Sequence, residues 1–284
     1  MNEPSPIRIA GVQMDVKIGD VAANRAAIVD RMSVAAAAGA KLVVFPECAL
    51  SGYGFESREE ALAFAEPIPG PSVQAIESHC ARLGVAAVFG LLERDGDRLY
   101  NACVLVGPSG VIGSYRKVHL PFLGVDRFAD PGDRPFAVQE YNGLRVGMHI
   151  CYDGAFPESG RVLSLLGADV LLLPTNWPTH SECAAIHMIA CRAMENVVYA
   201  MAVNRVGEER GFRFIGRSSI AGPNGEILQS AGPDTEEILY AEIDPARSRQ
   251  KRLIRVPGKH EVDRIADRRP DFYTELVRPN TPRD

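Results

Sequence analysis

The sequence predicts a layered α/β protein, with sheets packed face to face and helices outside. Two observations carry this expectation. Apolar runs of strand length alternate with longer stretches whose apolar residues recur at helical spacing. The two halves of the chain also echo each other. Val104-Leu-Val-Gly107-Pro-Ser-Gly110-Val-Ile112 has the same form as Ser219-Ile-Ala-Gly222-Pro-Asn-Gly225-Glu-Ile227. Each reads as a hairpin whose Gly-Pro-x-Gly supplies the turn. Because Gly-Pro-x-Gly is also common turn chemistry, the layered reading rests on the alternation.

The elements follow in order. Ile7 to Met14 reads as a first strand, and Ala-rich Val21 to Ala38 as a helix that Gly39 ends by adopting the left-handed conformation. Lys41 to Pro46 is a short strand that stops at Glu47. Pro71 to Leu83 is a helix with Gly84 as its stop, followed by strands over Val85 to Leu92, Ala102 to Val106 and Val111 to Tyr115. Leu144 to Ile150 is a strand that delivers Cys151, and Glu158 to Leu166 is the helix beyond it. A strand over Asp169 to Leu173, a helix over Ser181 to Met194 and a strand over Val197 to Val203 complete the pattern.

With 284 residues, 46% of them hydrophobic, the chain can bury one substantial core, and no Gly/Ser/Pro-rich linker divides it. Residues 1–284 are therefore read as a single domain. A net charge of −5 argues against a nucleic-acid partner, which would select for a basic face. The charge is uneven: from Pro245 onward there are 11 Lys/Arg against 6 Asp/Glu. Residues 245–284 are read as a C-terminal extension that packs on an acidic surface of its own subunit or a partner. The start of the chain lacks a signal-peptide pattern, and no apolar stretch approaches the roughly 18 residues of a membrane span. A cytoplasmic protein with no membrane partner is expected. The six cysteines show no CxxC pattern and are expected to be reduced.

Three strand-like runs end at residues with complementary chemistry: Glu47, Lys117 and Cys151. A thiolate is a good nucleophile and a neutral thiol a poor one, so Cys151 requires a proton acceptor or a positive field. Glu47 suits a general base that later returns the proton to a leaving amine. Lys117 and the backbone N–H of Tyr152 suit the stabilisation of an oxyanion. Taken singly, each has a plain structural reading as a buried thiol, a helix-start acid or a solvated loop charge. It is the joint occurrence that points to catalysis.

Phe45-Pro46-Glu47, Tyr115-Arg116-Lys117-Val118-His119-Leu120-Pro121 and Ile150-Cys151-Tyr152-Asp153-Gly154-Ala155-Phe156-Pro157-Glu158 resemble the three signature segments of the nitrilase superfamily of carbon–nitrogen hydrolases. Arg192-Ala-Met-Glu195-Asn196, Asn204-Arg205 and Arg268-Arg269-Pro270-Asp271-Phe272-Tyr273 also look like family segments. The resemblance implies a four-layer αββα sandwich, a homodimer or larger homo-oligomer formed through the helices, and a Glu47–Lys117–Cys151 triad. It further implies no metal and no organic cofactor. The family often carries a further glutamate after the lysine; here the nearest candidate is Asp126, one methylene shorter. The dipeptide after the cysteine, Tyr152-Asp153, resembles amidases and carbamoylases rather than nitrile hydrolysers, where Trp-Glu is typical. The implied activity is hydrolysis of a small linear amide to a carboxylic acid and ammonia, with N-carbamoyl hydrolysis and nitrile hydrolysis as rivals.

Tyr53, a short loop beyond Glu47, and Asn176 and Trp177, just past a strand end, are candidate substrate-binding residues alongside Asp126 and Tyr152. His180, Cys183, His187 and Cys191 share one helical face and invite a metal reading. His180 and Cys191 would be about 16 Å apart along a helix rising roughly 1.5 Å per residue, too far for shared coordination. That stripe is read as packing.

Overall fold

The computed structural model describes residues 5–279, so the outermost residues of the 1–284 span lie outside the described residues. In chain order the elements are β1 (Ile7–Gln13), α1 (Val21–Ala37), β2 (Leu42–Val44), α2 (Arg58–Leu62), α3 (Pro71–Leu83), β3 (Ala86–Asp95), β4 (Arg98–Gly107) and β5 (Gly110–Arg116). They continue with β6 (Val138–Tyr141), β7 (Leu144–Met148), α4 (Pro157–Leu165), β8 (Val170–Pro174), α5 (Glu182–Asn196) and β9 (Tyr199–Val203). The short strands β10 (Glu208–Glu209), β11 (Phe212–Arg213), β12 (Ser219–Ala221) and β13 (Ile227–Ser230) follow, then β14 (Glu237–Ile243), α6 (Pro245–Arg249), β15 (Arg252–Val256) and β16 (His260–Asp263).

Two six-stranded sheets form the centre, ordered β14-β1-β2-β3-β4-β5 and β13-β12-β9-β8-β7-β6. Each contains three parallel strands flanked by an antiparallel hairpin. The two Gly-Pro-x-Gly segments do turn hairpins, β4–β5 and β12–β13. The edges are exchanged: β6 trails the first half but pairs with β7, and β14 trails the second half but pairs with β1.

Alternation along the strands builds the layers. Ile7, Ile9, Leu42, Val44, Ala86 and Val88 join Val146, Met148, Val170, Leu172 and Met201 between the sheets. The intervening residues Ala10, Val12, Val43, Phe45, Ala87 and Phe89 face outward onto Ile28 and Met32 of α1 and Val73 and Ile76 of α3. On the other outer face, Leu163 of α4 and Ile189 and Ala193 of α5 cover the second sheet. The sheets approach closely at Gly11, where a Cβ would lie 3.1 Å from Val203 Cγ2. This is the αββα sandwich the sequence implies.

Local signals set the helix ends. Asp20 accepts from Ala23 N at 3.0 Å to open α1, and Pro71 opens α3. Gly84, at φ 65°, closes α3 through an N–H bond to Cys80 O. Among the described residues no helix is long and apolar enough to cross a membrane.

One expectation is overturned. His180, Cys183, His187 and Cys191 all lie on the exposed side of their segment, so the stripe is not core packing. Helical spacing fixes which residues share a face, not which face turns inward; here Ala185, Ile189 and Ala193 are the buried stripe. Glu195 pairs with Arg192 at 2.9 Å. The basic C-terminal residues begin on the subunit's own acids: Arg247 meets Glu226 and Arg249 meets Asp169, each at 2.7 Å. Lys251 donates to Val197 O at 2.8 Å, closing the end of α5.

Candidate active site

Glu47, Lys117 and Cys151 lie just past the ends of β2, β5 and β7 and meet in the interior. Glu47 and Lys117 have no accessible surface, and Cys151 retains 6%. Lys117 Nζ donates to Glu47 Oε1 at 2.7 Å and to Asp126 Oδ2 at 2.6 Å. Asn101, from β4, stands between the acids and donates to Glu47 Oε1 at 2.7 Å and Asp126 Oδ1 at 2.8 Å. The Tyr53 hydroxyl completes the cage, donating to Asp126 Oδ2 at 2.7 Å. Asp126 therefore supports the lysine in a closed network, and Tyr53 supports Asp126.

The backbone leaves little slack. A Cβ on Gly90 of β3 would lie 2.2 Å from Cys48 N, so only glycine allows the strand to pass directly behind Glu47. Glu209 accepts from Tyr53 N at 2.8 Å and is itself bound by Arg205 Nη1 at 2.6 Å, tying the Tyr53 loop to the segment after β9.

Cys151 opens a single tight turn, Cys151–Ala155, with φ at 44°. A non-glycine residue in this left-handed region is uncommon, and here it turns the chain sharply at the strand end. Asp153 fastens the turn. Its carboxylate accepts from Ile150 N at 2.9 Å, from Tyr115 OH at 2.8 Å and from His119 N at 3.0 Å. The Cys151 turn and the lysine's segment thus share one buried carboxylate. Burial opposes its ionisation, but the His119 side chain, the Ile150 N–H and the Lys117 charge hold its pKa below the usual carboxylate value.

The charges are coupled. Burial raises the Glu47 pKa; Lys117 opposes the rise and Asp126 adds to it. Burial would lower the Lys117 pKa, but the carboxylates of Asp126 and Glu47 outweigh it and hold the ammonium charged. Burial and the Glu47 charge push the Cys151 thiol up to about 12, while Lys117 pulls it down. The resting site therefore holds a neutral thiol beside a carboxylate with unusual proton affinity and a locked ammonium. Glu47 Oε2 is buried with no hydrogen-bond partner.

The remaining sequence candidates fall around this centre. Tyr152 is 41% exposed, its ring edge-on to Phe156 at 5.1 Å. Trp177 is buried, with its backbone N–H donating to Asn204 Oδ1 at 2.8 Å. The amide of Asn176 is buried with neither heteroatom partnered. Asn101 and Asp153 were missed as site residues. Asn101 interrupts an apolar run one residue before the expected strand start, which is the signal that was available. Two surface grooves, of about 460 and 370 Å³, lie elsewhere, between α1 and α3 and beside the β15–β16 hairpin.

Fold and site define a carbon–nitrogen hydrolase. The family model described as Carbon-nitrogen hydrolase matches residues 8–253, and the chain belongs to that family, within the nitrilase superfamily. A Pyrococcus abyssi protein named nitrilase is 42% identical over 268 residues, covering 94% of this chain and 99% of the relative. An (R)-stereoselective amidase of a Pseudomonas species is 34% identical over 271 residues, covering 93% and 92%. Among solved structures, a mutant of the Nesterenkonia AN1 amidase of the nitrilase superfamily superposes with a TM-score of 0.80 at 25% identity, covering 97% of this chain and 99% of that one. The chain is a hydrolase of the amidase-like branch, acting on amide carbon–nitrogen bonds.

Proposed function

We propose that the chain hydrolyses small linear amides to a carboxylic acid and ammonia through a thioester on Cys151. The observation that carries this reading is the unpartnered Glu47 Oε2, a buried acceptor beside a thiol. It takes the proton of Cys151 as the sulfur attacks the carbonyl carbon. Lys117 commits two of its three N–H groups to Glu47 and Asp126, leaving the third for the developing oxyanion. The N–H of Tyr152, at the start of its turn, is the second donor on this reading. Collapse of the tetrahedral intermediate breaks the C–N bond, and Glu47 returns its proton to the departing amine. A water then gives a proton to Glu47 and attacks the thioester; the C–S bond breaks, and Glu47 returns that proton to the sulfur as the acid leaves, restoring thiol and carboxylate. The raised pKa of Glu47 suits a group that must both take and return a proton.

Amide is favoured over nitrile by the unpaired acceptors. Glu47 Oε2 and Asn176 Oδ1 both lack donors. An amide NH2 brings donors to such acceptors, and a nitrile nitrogen brings none. Substrate contacts by Asn176, Trp177 and Tyr152 belong to the same proposal, with Asp126 and Tyr53 acting through Lys117. A matched panel of propionamide, propionitrile and an N-carbamoyl amine separates the rivals. The expected result is ammonia from the amide at least about tenfold faster than from the others. Faster ammonia release from the nitrile, or faster release from the carbamoyl compound with carbon dioxide beside it, would overturn the assignment in favour of the corresponding rival.

We further propose that residues 1–284 act as one domain in the cytoplasm and assemble at least as a homodimer. Val162 and Leu165 of α4, Leu166 at its end, and Ile186 and Met194 of α5 are exposed apolar residues suited to a second copy, and on this reading the 245–284 extension packs on the subunit or on that copy.

A further inference from the structure

We infer that the Thr175 hydroxyl is a hydrogen-bond donor to the Cys151 sulfur when that sulfur carries charge, so that the nucleophile is served from the neighbouring strand as well as by Glu47 and Lys117. The inference rests on the amidase reading only in taking Cys151 as the nucleophile.

Register carries it first. β7 and β8 run parallel with Val146 beside Val170, Gly147 beside Leu171 and Met148 beside Leu172. His149 N still donates to Leu172 O at 3.1 Å beyond the end of β7. The same offset continued three residues sets Thr175 beside Cys151. Thr175 is anchored from its other side, its N–H donating to Val203 O at 2.9 Å, so its position is not free to drift.

The side chain is the second observation. Thr175 is fully buried, and its Oγ1 has no hydrogen-bond partner in the resting enzyme. Valine has the same shape and would fill such a site without stranding a hydroxyl. A buried hydroxyl unused at rest but beside a nucleophile is suited to a charge that appears only during the reaction. From where it stands, the hydroxyl would meet the sulfur once that sulfur is charged. Together with the Asn176 N–H it favours the thiolate, against the burial and the Glu47 charge that disfavour it. When Glu47 takes the proton, the thiolate forms in a site with little water, and these two donors follow β8 of the second sheet whereas Glu47 follows β2 of the first. They serve again when the C–S bond breaks and the sulfur leaves.

The test is alkylation of Cys151 by iodoacetamide, followed peptide by peptide across pH 6 to 10, in the parent protein, Thr175→Val and Thr175→Ser. Thr175→Val is expected to slow Cys151 labelling by about tenfold, the size of one hydrogen bond to a charged group. Thr175→Ser should restore labelling to near the parent rate. A packing role predicts the opposite order, with valine parent-like and serine impaired, and that result would overturn the inference. So would equal slowing by both substitutions. Failure of the parent protein to label at Cys151 would instead strike the nucleophile assignment itself, which keeps the two failures apart.

Discussion

Replacing Cys151 by Ala is expected to lower amide turnover by at least about 10⁴-fold, the scale seen when a covalent nucleophile is removed from a pre-built site. The carboxylate, the ammonium and the oxyanion donors all remain, but no bond can form to the acyl carbon. Water activated by Glu47 is the only nucleophile left, and it lacks a place held for it. Cys151 is small and 6% exposed, and its removal deletes one sulfur without stranding a charge, so the variant should fold like the parent. Ammonia release from a good amide substrate measures the loss, with circular dichroism confirming the fold. Turnover within tenfold of the parent would contradict a thioester route.

Lys117→Met is expected to damage stability as well as rate. The ammonium is the only cation bonded to Glu47 and Asp126 among the described residues, and all three side chains are buried. Removing one partner of a buried ion network typically costs about 3–5 kcal/mol, because the other charges are left without compensation. The sign of the pH dependence follows from Glu47. Its folded pKa is already raised, and loss of Lys117 removes the pull that opposed the rise. A carboxyl with a raised folded pKa contributes stability at low pH and loses it as pH rises through that value. The deficit of the variant should therefore be largest at neutral pH and shrink as pH falls toward the ordinary carboxylate range. Urea unfolding of parent and variant at several pH values checks this, and a deficit that widens in acid would contradict the network. Turnover should fall by at least about 10²-fold through the lost oxyanion donor.

The parts of the fold legible in the sequence were those with a local signal. Apolar runs of strand length and helical spacing located the parallel strands and the four long helices, and Pro71 and Gly84 marked the ends of α3 to the residue. β14 alternates cleanly but pairs with β1 across the whole chain, and nothing local announces that partner. The same distinction divides the site. Glu47, Lys117 and Cys151 were visible because each ends an apolar run. Asn101 was not, because its role exists only once Glu47 and Asp126, 54 and 25 residues away, have been brought to either side of it. Asp153 is likewise defined by Tyr115 and His119, which arrive from another strand end. Asp126 was visible as a short substitute for a longer acid. What the sequence could not show is that Tyr53 and Asn101 hold it against Lys117.

The most direct measurement is mass analysis of the Cys151 peptide after rapid acid quench of the enzyme turning over a mixed panel of small amides. A mass increase equal to the acyl group of a hydrolysed amide, confined to Cys151 and absent from the other five cysteines, is the expected result. Amide turnover with an unmodified Cys151 peptide, or with the acyl group on another residue, would contradict the convergence of Glu47 and Lys117 on this sulfur as the source of the chemistry.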